Sequence, residues 1–212
     1  MLIANVSPRT MAKTTDTAWL SHALMESEAA YEIVGYDADH SMQFWDWSVQ
    51  APFAFKVHKK ATAQFHEEVA PTPGCLSIVD CGHAENHPHI TDSVLRVADL
   101  VILHMSPTQA DWLRVDKPPE ATPFQDIIRR SGLFREDGRP PETWVLLNRT
   151  VTNASSTGHY RSQLEAKGWN VFTTTIPRSE TYALSMNFPV IGAKKSAFGS
   201  LVTEMEKRGL LP

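Results

Sequence analysis

Met1–Thr15, MLIANVSPRTMAKTT, sets an apolar run against a turn and then Lys13-Thr14-Thr15. A strand ending near Val6 and a helix beginning near Lys13 would leave the connecting amides facing an anion at a helix N-terminus. Lys13 would add positive charge there and Thr14 a metal-binding hydroxyl. The Walker pattern G-x-x-x-x-G-K-[ST] is met at its Lys-Thr end, while Ser7 and Ala12 stand where its glycines belong. The stretch therefore predicts a phosphate-binding loop with altered lining, opening an α/β domain.

Outward from this loop the chain alternates. Positions 18, 20, 23 and 24 of TTDTAWLSHALMES suit one helical face, and YEIVGY (31–36) is an extended run leading into Asp37-Ala38-Asp39. The aromatic stretch 41–57 predicts a short helix with an irregular connection, and KKATAQFHEEV (59–69) predicts a polar helix ended by PTPG. CLSIVD (75–80) is almost continuously apolar and ends on an acid, as a buried parallel strand delivering a carboxylate would. Helical material around 92–97 precedes a strand at 100–105, and ATPFQDIIRRSG (121–132) predicts a helix. The strand TWVLLNRT (143–150), the helix HYRSQLEAKG (159–168), the strand WNVFTTTIP (169–177) and a helix over 193–208 complete the series. About six apolar strands alternating with helices predict one domain, 1–212, with a mainly parallel sheet whose ligands bind at the strands' C-terminal ends.

Composition is that of a globular protein. The 212 residues are 42% hydrophobic and carry a net charge of −4, so nucleic acid would need a local basic patch. Cys75 and Cys81 fall on one expected strand, roughly 20 Å apart, too far for a disulfide. With no apolar run of membrane-spanning length and no secretion-type N-terminus, a reducing cytoplasm is the expected compartment.

Taken in order, Lys13-Thr14-Thr15, YDADH (36–40), Asp46-Trp47, IVD (78–80), ADLVILHMSPTQAD (98–111) and TTIPRSETY (174–182) resemble the ParA-type partition ATPases. These belong to the deviant-Walker branch of P-loop NTPases, which includes the MinD-like cell-division proteins. The resemblance covers nearly the whole chain and implies a three-layer P-loop NTPase fold that binds ATP and Mg2+. It implies that Lys13 contacts the terminal phosphates, that Thr14 ligates magnesium with Asp37 and Asp80 in support, and that Asp39 positions the hydrolytic water. Arg9, Thr10, Ala12 and Thr15 would line the phosphates, and Asn148 and Pro177 would hold adenine. The partners implied are a second copy in a nucleotide-dependent dimer, a ParB-like centromere-binding protein and nonspecific DNA, with slow or partner-stimulated hydrolysis driving plasmid or chromosome segregation. A soluble, nucleoid-associated protein is the expectation if DNA binding holds.

The departures lie in one place. The family's loop, K-G-G-V-G-K-[ST]-[ST], has here become Pro8-Arg9-Thr10-Met11-Ala12-Lys13-Thr14-Thr15, without the glycines and the first lysine. Arg9 offers a substitute cation shifted by one position. A non-catalytic adaptor that has lost turnover is the alternative of another class.

Three other groupings hold side chains capable of chemistry or binding. CGHAENHPH (81–89) holds Cys81, His83, His87 and His89 at no standard zinc spacing, so a polar switch-like loop is the expected role. Ser106, His104 and Asp111 carry hydrolase side chains without a G-x-S-x-G elbow. Lys194, Lys195, Lys207 and Arg208, with Arg129 and Arg130, are the candidates for DNA contact, against the commoner meaning of solvated helix faces.

Overall fold

The computed structural model describes residues 1–119 and 121–212. Strands β1 (Leu2–Ser7), β2 (Glu32–Ala38), β3 (Lys56–Lys59), β4 (Cys75–His83), β5 (Leu100–Met105), β6 (Glu142–Leu147) and β7 (Asn170–Val171) form one sheet in the order β3-β2-β4-β1-β5-β6-β7. Every pairing is parallel. The helices are α1 (Lys13–Met25), α2 (Gln43–Gln50), α3 (Phe65–Glu68), α4 (Pro88–Val97), α5 (Gln109–Asp116), α6 (Phe124–Ser131), α7 (Ser155–Ala166), α8 (Glu180–Ala183) and α9 (Ala197–Lys207).

Strand alternation divides the core in two. Leu2, Ala4 and Val6 of β1 join Val101, Leu103 and Met105 of β5 on the face covered by α4, α5, α6 and α7, through Val94, Trp112, Phe124 and Leu164. Ile3, Ile78 and Ile102 face the other way, against Leu20 and Leu24 of α1, Trp47 of α2 and Leu201 of α9. A sheet apolar on both faces must be covered on both, and the result is a three-layer α/β fold.

The departures from expectation have local causes. KVHK forms a seventh strand, β3, at the sheet margin, where only Val57 is buried; its two lysines hide it among the aromatic segment. The helix expected over 59–69 shrinks to Phe65–Glu68. Thr108 caps an additional helix, α5, its hydroxyl accepting from the Asp111 amide at 3.2 Å. WNVFTTTIP forms a strand only at Asn170–Val171, with an isolated bridge from Pro177 to Thr150, because side chains take over the backbone groups in between. Arg161 donates to the Phe172 and Thr173 carbonyls, and Glu204 accepts from the Thr173 and Thr174 amides. Cys75 and Cys81 are both free thiols on β4, and no helix among the described residues is long and apolar enough to cross a membrane.

β1 lies between β4 and β5, so the loop after it opens at the C-terminal edge of the sheet's centre. Register places Asn5 beside Asp80 and Asp80 beside Asp37, so two acids reach that edge side by side.

Candidate phosphate and metal site

The loop between β1 and α1 makes a left-handed turn into the helix without a glycine. Ala12, immediately before α1, has φ 61° and ψ 18°, the left-handed conformation that costs a non-glycine residue roughly 1–2 kcal/mol. The Asp16 amide donates to the Ala12 carbonyl at 3.0 Å, starting the helix. Substitutions elsewhere in the loop turn their side chains toward the segment after β4. Arg9 pairs with Glu85 at 2.7 Å, Glu85 also holds Arg114 at 3.3 Å, and Thr10 meets His83 at 3.3 Å. The Ala84 and Glu85 amides donate to the Ser7 and Pro8 carbonyls, and the Ser7 hydroxyl donates to the Arg9 carbonyl.

Lys13 opens α1 and is only 3% exposed, with no hydrogen-bond or ion-pair partner among the described residues. The next residue, Thr14, donates its hydroxyl to Asp80 Oδ2 at 2.7 Å. Asp80 Oδ1 is buried and receives no hydrogen bond. Burial pushes the Asp80 carboxyl up to about 7, against the pull of the Lys13 ammonium and with Asp37 adding to the rise. Asp37 is raised to about 6, again chiefly by burial, even though the amides of Trp45 and Asp39 donate to its two oxygens at 2.9 and 3.0 Å.

These groups fit magnesium. A buried carboxylate oxygen without a donor, a hydroxyl beside it and a second carboxylate form a hard oxygen set. Among the described residues no three His, Cys, Asp or Glu side chains form a ready-made metal cage. The ion would thus be completed by phosphate oxygens and water, the usual way magnesium is held. With both oxygens already accepting amides, Asp37 contributes charge more than a free ligand atom.

Asp39 sits half-buried at the mouth, accepting from the Ser41 amide at 2.9 Å. Thr15 is half-buried on the first turn of α1, and Pro177 is exposed, bridged to Thr150. Asn148 differs from expectation in its surroundings. It is 1% exposed, and its amide nitrogen donates to the Met11 carbonyl and to Asp16 Oδ2 at 3.0 Å, while its oxygen accepts from Ser106 at 3.2 Å.

That contact set exposes a polar network absent from the sequence-derived site. His104 lies between Asp16 Oδ2 and Asn5 Oδ1, at 2.9 Å from each. Asn5 and His104 interrupt otherwise apolar strands, and a buried polar residue in such a strand needs a partner. That was the available signal. The Ser106, His104 and Asp111 grouping is dispersed by the same contacts, since Asp111 accepts from the Ser106 amide and His104 turns to α1.

The Cys81 to His89 segment also separates. Cys81 donates to the Thr91 hydroxyl, with burial raising its thiol to about 12; His83 turns to Thr10, His87 packs on His40 and His89 is exposed. Of the basic candidates, Arg129, Arg130 and Arg208 are paired with Asp126, Asp92 and Glu204. Lys194, Lys195 and Lys207 are exposed and have no ion pair among the described residues.

Comparison with solved structures places this geometry in a recognised class of fold. A Borrelia burgdorferi B31 protein ascribed to plasmid partition, bound to AMPPNP, superposes with TM-score 0.72 at 11% identity over 98% of each chain. A Cyanothece McdA variant in complex with ATP gives 0.70 at 12% identity over 97% of this chain and 96% of that one. The Aquifex aeolicus MinC:MinD cell division protein complex gives 0.64 at 15% identity over 100% and 97%. No family model matches the sequence, and no curated protein matches it. The chain has the fold of the ParA/MinD-type P-loop ATPases.

Proposed function

We propose that this protein binds ATP with magnesium at Ser7–Thr15, and that slow or partner-stimulated hydrolysis controls its self-association and its binding of DNA and a ParB-like partner in plasmid or chromosome segregation. The observation that carries the proposal is the 2.7 Å bond from Thr14 to Asp80, beside a buried Lys13 at the start of α1. Few other uses explain a lysine buried without a partner next to two acids and an open helix N-terminus.

Phosphoryl transfer asks a protein for charge neutralisation and an oriented water. Lys13 and the first amides of α1 would receive the phosphates, and Thr14 would hold the ion through its hydroxyl oxygen while its hydrogen stays on Asp80. Magnesium, when bound, screens the phosphate charge and draws electrons from the bond to be broken. Asp39, at the mouth and anchored by the Ser41 amide, orients the attacking water. Arg9 takes the place of the missing loop lysine as an exposed cation, held by Glu85 until a phosphate competes for it. Lys194, Lys195 and Lys207 form the surface offered to DNA.

Calorimetry of the native protein with ATP, with and without magnesium, tests the site. Binding at micromolar concentration that depends on magnesium is expected, and no heat of binding would refute the proposal. The loop's composition favours one competing reading, a nucleotide-responsive adaptor without turnover, because Pro8 has no amide to donate and Ala12 holds a glycine's conformation. Asp39→Ala separates them. In an ATPase it lowers turnover by roughly 100-fold or more and leaves ATP binding intact; in the adaptor no turnover exists to lose.

A further inference from the structure

Asn148 stands at a strand end, where the family resemblance implies contact with adenine, yet its side chain points under the phosphate loop. Both hydrogens of its amide are spoken for, by the Met11 carbonyl and Asp16 Oδ2, and its oxygen accepts from Ser106. Asp16 is fixed in turn by His104, and His104 by Asn5, whose own amide reaches the Val79 carbonyl at 3.5 Å. The chain of contacts therefore runs from the residue after β6 through α1 and β5 to β1 and β4, all of it buried.

The Met11 contact has a stereochemical consequence. In a trans peptide the carbonyl and the following N–H point in opposite directions. Drawing the Met11 carbonyl inward to Asn148 therefore turns the Ala12 N–H outward, and that amide donates to no atom among the described residues. Ala12 is also the residue held at φ 61°. Glycine would reach that conformation without strain; alanine needs its surroundings to hold it there.

We propose that Asn148 is a positioning residue for the phosphate loop, aiming the Ala12 amide at a bound phosphate, and that it does not read the base. The inference rests on the proposed phosphate site, which its test treats separately. The Asp16–His104–Asn5 chain keeps the Asn148 amide oriented, so that a rigid buried network replaces the conformational freedom of the lost glycines. Base contact then belongs to the exposed segment around Pro177.

The test compares the native protein with Asn148→Ala, using calorimetry with Mg-ATP, Mg-GTP and magnesium tripolyphosphate. Tripolyphosphate has no base. A positioning role predicts that the affinity of the variant falls by the same factor, roughly tenfold, for every one of these ligands the native protein binds. A loss confined to ATP, with tripolyphosphate unchanged, would make Asn148 a base reader and overturn the proposal. Amide hydrogen exchange without ligand provides an independent measure: residues 9–16 should exchange faster in the variant while the amides of β1 and β5 keep their protection. Unchanged exchange across 9–16 overturns the proposal, whatever the ligand results. If the native protein binds none of the three ligands, the phosphate site fails while the exchange result still decides the role of Asn148. Should the alanine variant not fold, Asn148→Asp keeps the volume and the acceptor for Ser106, removes the donor to Met11 and sets a carboxylate against Asp16 in place of the other donor. It is expected to show the same changes.

Discussion

Asp80→Asn should make the ligand-free protein more stable at pH 8 while removing magnesium-dependent nucleotide binding, and Lys13→Ala should destabilise it while losing the same binding. The opposite signs follow from the charges. Asp80 is a buried acid raised from 3.8 to about 7, mainly by burial, so the folded chain takes up its proton more readily than the unfolded chain does. The ionised carboxylate therefore costs stability, in full above about pH 7, and that cost disappears as pH falls toward 3.8. Asparagine removes the charge and keeps an oxygen for the Thr14 hydroxyl. A gain of about 1–3 kcal/mol at pH 8 is expected, shrinking steadily as the comparison is moved to pH 5. Removing Lys13 takes away the cation that offsets Asp80, costing roughly 1–3 kcal/mol. Chemical denaturation of both variants at the two pH values, with calorimetry on each, reads every part of this. A less stable Asp80→Asn protein would mean that the carboxylate is compensated by contacts other than a metal and its phosphates.

Gly199→Ala should nearly abolish folding, while Gly158→Ala, also in a helix, should be mildly stabilising. At Gly199 an added Cβ would stand 1.9 Å from the Lys194 carbonyl oxygen and 2.5 Å from its carbon, both backbone atoms. The Lys194 turn cannot simply withdraw, because its amide is bonded to Glu26 at the end of α1 at 2.9 Å. The helix must shift from a core containing Phe198, Leu201 and Met205, a cost of roughly 3 kcal/mol or more. Gly158 meets nothing within 4 Å and lies in the first half of α7, where alanine limits the unfolded chain and gains about 0.5–1 kcal/mol. Thermal unfolding of the pair is the measurement. Equal melting temperatures would show that α9 does not pack as described.

The sheet and the site's acids were legible because they depend on patterns that burial enforces. β1, β4 and β5 are buried on both faces, and their sequences are apolar but for single polar residues such as Asn5, Ser77 and His104; Asp37 and Asp80 stand at the ends of such runs, so topology brings them together wherever the helices go. Elements governed by local compromise were less visible. β3 is held mainly by Val57 between lysines, and β7 ends early because Arg161 and Glu204 satisfy its backbone groups. The buried network was hidden for a different reason. Asn5, Asp16, His104 and Asn148 are far apart in sequence, and only the order of strands shows that one is the partner of the next. The left-handed geometry of Ala12 was equally hidden, since alanine does not advertise the conformation that glycine does.

The treatment of the two sheet margins limits how copies of this chain can meet. At one margin Arg161 and Glu204 occupy the hydrogen-bonding groups of residues 172–174; at the other, β3 is four residues long with exposed Lys56 and Lys59 at its ends. Neither invites another strand, so the sheet does not grow across molecules. Assembly must then use side-chain surfaces and loop ends. For the association cycle proposed above, side-chain contacts can be made and released without breaking a backbone ladder, as a continuous intermolecular ribbon could not.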